Sequence, residues 1–155
     1  MKQATIGLAA LCIVLAFGQA ARAQTLTLTA LPASISFPWS DPDFPPNPIN
    51  ANATVTVTYD IKGGGANPPF HITVRATGDL QSGSDSIPIT NITWTGGGSP
   101  RSFTPAGTLT TTDQTLLTWS GKVTGTGTML FHLANSWTYK AGNYTTTIVF
   151  TISTP

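Results

Sequence analysis

Glutamate is missing from all 155 residues, cysteine occurs once, histidine twice, and charged side chains make up only 8% of the chain. Each shortage excludes something. Without glutamate and with few lysines and arginines, the residues that normally coat exposed helices are scarce, so helical layers are not expected. One cysteine, Cys12, forms no internal disulfide, and stability must come from a packed core, which a single domain of this length can supply. The seven cations form no stripe or cluster, which argues against a nucleic-acid partner and against docking on anionic lipid. His71 and His132 stand far apart with no second ligand at metal spacing, and no HExxH motif occurs. No metal and no other cofactor is implied.

The one long apolar stretch lies at the start. Lys2 provides a positive charge, residues 6–17 an apolar segment, and Ala21-Arg22-Ala23 a small-x-small cleavage site. This pattern predicts a signal peptide over residues 1–23, cut after Ala23, and a mature domain over residues 24–155. The apolar segment is too short to span a bilayer comfortably, so no membrane span is expected after cleavage. A lipid anchor on Cys12 would need a small residue before it, and Leu11 stands there. The expected destination is outside the cytoplasm: periplasm, cell surface or medium. Mature residues would carry Lys62, Arg75, Arg101, Lys122 and Lys140 against six aspartates, a charge near −1.

What is abundant is threonine in alternation with apolar residues. Residues 142–152, GNYTTTIVFTI, put Tyr144, Thr146, Ile148, Phe150 and Ile152 on one face and Thr145, Thr147, Val149 and Thr151 on the other. A period of two is that of a strand with one buried and one wetted face. The same pattern recurs at residues 24–31, 54–61 and 70–76. The last two flank the Gly- and Pro-rich link KGGGANPP, which suggests a hairpin. In residues 87–94 the apolar phase slips between Ile89 and Ile92, consistent with a bulge near Thr90-Asn91. Residues 38–50 carry five prolines and read as a loop, as do residues 96–105; residues 121–127 read as turn. Further strands are expected within residues 108–119 and 129–133. About seven to eight strands separated by turn signals, with no helical pattern, predict an all-β fold: an antiparallel immunoglobulin-like sandwich.

The Ala141-Gly142-Asn143-Tyr144 turn and the Thr-rich strand after it resemble the closing segment of bacterial secreted β-sandwiches: spore coat U-like and fimbrial subunits and WxL-type surface domains. The likeness covers about the last fifth of the chain. It departs from those families in lacking a disulfide, a terminal aromatic and a Trp-x-Leu motif. The resemblance implies a non-enzymatic surface or appendage subunit, with self-assembly or another surface subunit as partner. It also gives residues 24–31 two alternative roles. Leu26, Leu28 and Ala30 form either the first strand of the chain's own sandwich, the simpler and preferred role, or an assembly strand inserted into a neighbour.

Other candidates are few. Trp39, with Asp41 and Asp43 in the proline-rich loop, could stack on a sugar ring and accept its hydroxyls, making polysaccharide the alternative partner. The competing and preferred role for Trp39 is a plug over one end of the core, with the aspartates capping turns. No G-x-S-x-G elbow selects a nucleophile, and no carboxylate pair sits in a setting that would raise a pKa, so no catalytic residue is assigned.

Overall fold

The computed structural model describes residues 4–9 (as backbone), 25–38, 43, 47–62 and 69–154. Thirteen strands occur among them, and no α-helix. Two sheets face each other across one core, as the alternation predicts: an all-β, antiparallel, immunoglobulin-like sandwich.

One sheet contains β2 (Thr25–Leu31), β5 (Val55–Lys62), β9 (Ile92–Ser99), β10 (Ala106–Thr108) and β12 (Val123–Leu133), in the order β10-β9-β12-β5-β2. A short strand, β4 (Ile49–Asn50), adds to β12. The other holds β1 (Ala4–Ala9), β3 (Ser34–Phe37), β6 (Pro69–Ala76), β11 (Gln114–Ser120) and β13 (Thr147–Ser153), in the order β11-β6-β13-β1-β3. A separate small hairpin joins β7 (Leu80–Ser82) to β8 (Asp85–Ile87). The order β2-β5-β12-β9 is the A-B-E-D sheet of the immunoglobulin pattern, and β6 beside β13 supplies its C and F strands.

Alternation becomes burial. Val55, Val57, Tyr59 and Ile61 from β5 and Met129, Phe131 and Leu133 from β12 meet Phe70, Ile72, Val74 and Ala76 from β6 and Ile148, Phe150 and Ile152 from β13 in the shared core. The intervening threonines stay at the surface, where β-branched side chains suit a strand without needing burial. Tyr144, just ahead of β13, is buried and donates its hydroxyl to the Lys140 carbonyl at 3.0 Å. That closes the Ala141-Gly142-Asn143 turn in the manner of a tyrosine corner.

Four expectations are corrected. β5 and β6 form no hairpin: they lie in different sheets, because their inward faces cover opposite sides of one core. The phase slip between Ile89 and Ile92 is a 3₁₀ turn, Ile89–Asn91, closed by the Asn91 N–H on the Pro88 carbonyl, and not a bulge. Residues 96–99 are strand, pairing Gly96, Gly97 and Gly98 with Met129, Thr128 and Gly127. Residues 123–127 are strand too, the first half of an eleven-residue β12. Glycine hid both stretches, since a residue without a side chain carries no alternation. A bulge does occur in β11, where the register shifts between Thr115 and Leu117 and lets the consecutive Leu116 and Leu117 both turn inward.

The two long sides of the sandwich are closed differently. On the β9–β11 side the chain's own loop does it. Gly96 N–H bonds the Pro105 carbonyl at 2.8 Å, Phe103 N–H the Gly97 carbonyl at 3.1 Å, and Thr104 N–H the Leu116 carbonyl at 2.9 Å. These bonds carry residues 103–105 from one sheet to the other and press the Phe103 ring into the core, stacked 6.4 Å from Tyr59. On the opposite side the chain steps from β2 in one sheet to β3 in the other, and between β3 and β13 lies β1.

Candidate functional site

β1 runs parallel to β13, with Gly7 opposite Thr147, Leu8 opposite Ile148 and Ala9 opposite Val149. It runs antiparallel to β3, with Ala4 opposite Phe37, Thr5 opposite Ser36, Ile6 opposite Ile35 and Gly7 opposite Ser34. It therefore occupies an interior position of its sheet, beside the F strand, where a following strand stands in immunoglobulin sandwiches. The walls of this position are apolar: Ile35, Phe37, Ile148 and Phe150 are all at most 3% exposed with β1 in place.

The walls are also fixed independently of β1. Ser36 and Asn52 exchange two bonds, Ser36 N–H to Asn52 Oδ1 and Asn52 N–H to the Ser36 carbonyl, both 2.8 Å. Along a strand, backbone groups of successive residues point to opposite sides. With Ser36 turned toward Asn52, Ile35 and Phe37 direct their N–H and C=O groups toward β1. On β13 the Thr147 carbonyl accepts Thr77 N–H at 2.9 Å on the β6 side, so Ile148 faces the other way. The residues that present backbone groups to this position are thus the ones that turn their side chains into the core.

The residues singled out from the sequence are placed as follows. Leu26, Leu28 and Ala30 lie on β2, paired along its length with β5 of the same chain; Leu28 and Ala30 are buried and Leu26 half-buried. Trp39 and Asp41 lie outside the described residues, and Asp43 is exposed in a turn. What remains of the proline-rich segment is tied to the Trp137 turn: Asn47 Nδ2 donates to the Asn135 carbonyl and Asn135 N–H to Asn47 Oδ1, each at 3.2 Å. Trp137 is 62% exposed, whereas Trp94 is core and Trp119 stacks under the Arg101 guanidinium at 3.5 Å.

The polar side chains mostly serve each other. His71 Nδ1 meets Thr118 Oγ1 at 3.0 Å, and His132 spans Asn50 Oδ1 at 2.7 Å and Thr95 Oγ1 at 3.2 Å. Asp79 accepts Ile89 N–H at 2.8 Å, and Asp85 pairs with Lys140 at 2.8 Å. An open groove of ≈ 630 Å³ runs along Thr77, Gly78, Asp79, Gln81 and Thr145 to Thr147. Several of its polar groups are engaged: Thr146 Oγ1 donates to the Gly78 carbonyl at 2.8 Å, and Gln81 and Thr145 exchange backbone bonds. Among the described residues no three His, Cys, Asp or Glu side chains gather as a metal site, and no helix is long and apolar enough to cross a membrane.

Among the described residues three groups have displaced pKa values. Asp60 is held below 3.8 by its hydrogen bond to Lys62 and by the Thr124 hydroxyl. Lys140 is raised above 10.5 by Asp85, and the Tyr59 phenol above 10.0 by burial, partly opposed by Arg101. A lowered acid stabilises the fold above its unfolded pKa and loses that contribution as pH falls through the folded value; a raised base or phenol does so as pH rises. The thermal midpoint is therefore expected to be level from about pH 5 to 9 and to fall above about pH 10. Tyr59→Phe should soften the alkaline decline, and calorimetry of both proteins from pH 7 to 11.5 checks it.

No protein-family model matches the chain, and no curated protein matches it.

Proposed function

We propose that this chain is an exported, non-enzymatic subunit of a bacterial surface structure, structural or adhesive in role, that joins its neighbours through strand pairing. The observation that supports this most is the place of Ala4–Ala9. That strand belongs to the segment with signal-peptide character, yet it fills an interior position of a sheet. Removal of a leader through Ala23 leaves β3 and β13 each with one open ladder edge over an apolar floor. Open edges of that kind pair with other chains. The Thr-rich, weakly charged outer faces suit a packing unit more than a reaction centre.

A second reading has one observation in its favour. Trp137 is exposed in the turn that Asn135 ties to Asn47, so the described end of the proline-rich segment lies beside an aromatic ring able to stack on a sugar. Fractionating the envelope of the native cells decides between the two. A surface subunit is expected to sediment in complexes many times heavier than the 16.2 kDa chain. A strictly monomeric protein that is retarded on a polysaccharide column, and loses that retardation on Trp39→Ala, would overturn the first reading in favour of the second.

A further inference from the structure

We propose that Thr95 is an acyl-acceptor site: its hydroxyl, activated by His132, takes the acyl group of an activated ester or thioester and keeps it as a Thr95 ester. This is independent of the subunit reading. It concerns the outer face of the β10-β9-β12-β5-β2 sheet, the layer that does not contain β1.

Three side chains meet there from three strands. Thr95 follows buried Trp94 on β9, His132 lies between buried Phe131 and Leu133 on β12, and Asn50 follows buried Ile49 on β4, so all three turn outward. Thr95 and Asn50 are exposed and His132 is half-buried. His132 stands opposite Asn50 on one side and Thr93 on the other; Thr95, two residues further along β9, is its diagonal neighbour. Thr95 Oγ1 lies 3.2 Å from His132 Nε2, and His132 Nδ1 lies 2.7 Å from Asn50 Oδ1. A carboxamide oxygen only accepts, so the second contact puts the ring proton on Nδ1. Nε2 then keeps its lone pair facing the Thr95 hydroxyl. The order is nucleophile, base and orienting group, with asparagine in the third place as in Cys-His-Asn proteases.

In the transfer, Thr95 Oγ1 attacks the acyl carbonyl carbon while its proton passes to Nε2. The bond from that carbon to the leaving oxygen or sulfur breaks, and the electron pair departs with the leaving group. The imidazolium then gives its proton to solvent. Two limits on the partner follow. The backbone around Thr95 is spent on the ladders with β10 and β12, which leaves no pair of N–H groups to hold an oxyanion. Only acyl groups with a good leaving group therefore react, and the alkyl ester formed on Thr95 persists, so the event is a single transfer and not turnover. Leu130, directly opposite Thr95 on the same face, sets an apolar side chain beside the acyl group and favours an uncharged one.

The other histidine is a built-in comparison. His71 Nδ1 meets Thr118 Oγ1 at 3.0 Å, but among the described residues no hydrogen bond orients the ring from its Nε2. The full chain is to be treated with p-nitrophenyl acetate at mildly alkaline pH, and the acetylated residues mapped by peptide mass spectrometry. Thr95 is expected to be acetylated at least ~10-fold faster than Thr118 or Thr93, a modest share of the about 10²–10⁴-fold that general-base assistance supplies in a complete site. His132→Gln should remove that difference, Thr95→Ser should preserve it, and Asn50→Ala should slow the reaction by roughly 5-fold or more. Asn50 acts through the ring, so nitrogen NMR of His132 supplies its separate readout: the proton on Nδ1 in the unaltered chain, and loss of that preference in Asn50→Ala. All three positions are on the surface, and unchanged circular dichroism checks that each variant folds. Acetylation of Thr95 no faster than that of Thr118, or a ring proton on Nε2 in the unaltered chain, overturns the proposal. So does p-nitrophenolate release that survives Thr95→Val and is lost in His132→Gln, since the imidazole itself would then be the nucleophile.

Discussion

Phe103→Ala is expected to lower the unfolding free energy by about 3–5 kcal/mol, the range for removing a buried aromatic ring, and the melting temperature by roughly 10 °C or more. Phe103 is 1% exposed, stacks on Tyr59 and covers the backbone of Gly127. It comes from a loop, so sequence pattern gives no hint of its burial. The ring is placed by the Gly97, Leu116 and Pro105 carbonyls, which hold residues 96, 103 and 104 through their N–H groups. Alanine keeps those bonds and removes only the plug. Denaturant unfolding should therefore show a lower midpoint with an unchanged slope, the sign of a cavity in an intact fold. A change below 1 kcal/mol would mean that this side of the sandwich is closed by the backbone bridge alone.

That experiment also separates the two flanks. The β9–β11 flank is sealed by the chain's own side chain, held by its own carbonyls. The β3–β13 flank is sealed by Ala4–Ala9, a segment with export-signal character. Phe103→Ala should weaken the β9–β11 flank and leave the β3–β13 pairing with β1 unchanged.

How much of this was legible in the sequence depends on whether side chains carried the signal. The alternation in Val55-Thr56-Val57-Thr58-Tyr59 and in Ile148-Val149-Phe150 fixed strand, phase and inward face, because apolar burial acts residue by residue. Alternation says nothing about which sheet a strand joins, and the expected hairpin of β5 with β6 failed for that reason. Gly96 to Gly98 read as loop, and Gly125 and Gly127 as turn, since glycine has no side chain to alternate, yet all five are ladder residues. The Gly-x-Tyr turn was visible as a motif; its work, the Tyr144 hydroxyl on the Lys140 carbonyl, needed coordinates. The candidate site was the least legible part. Residues 4–9 overlap the start of the apolar segment that reads as an export signal, and that reading leaves no strand to be sought there.

The thin ladder makes the second large effect. Gly127→Ala is expected to destabilise by about 2–3 kcal/mol, at the upper end for overpacking. A Cβ there would lie 2.1 Å from Phe103 Cζ and within 2.3 Å of both ε carbons, so the ring or the strand must move. Neither moves easily. The ring is enclosed by Tyr59 and the core, and Gly127 is locked between Val57 and Gly98 on its two neighbouring strands. The clash has one partner, which makes it separable. In a Phe103→Ala background the added methyl enters the space the ring has left, and Gly127→Ala should become nearly neutral. A double-mutant cycle read by denaturant unfolding should then give a coupling of about 2 kcal/mol, as expected for side chains in contact. Additive losses would instead place the cost in the β12 backbone, and the glycines of that strand would owe their presence to something other than the ring laid across them.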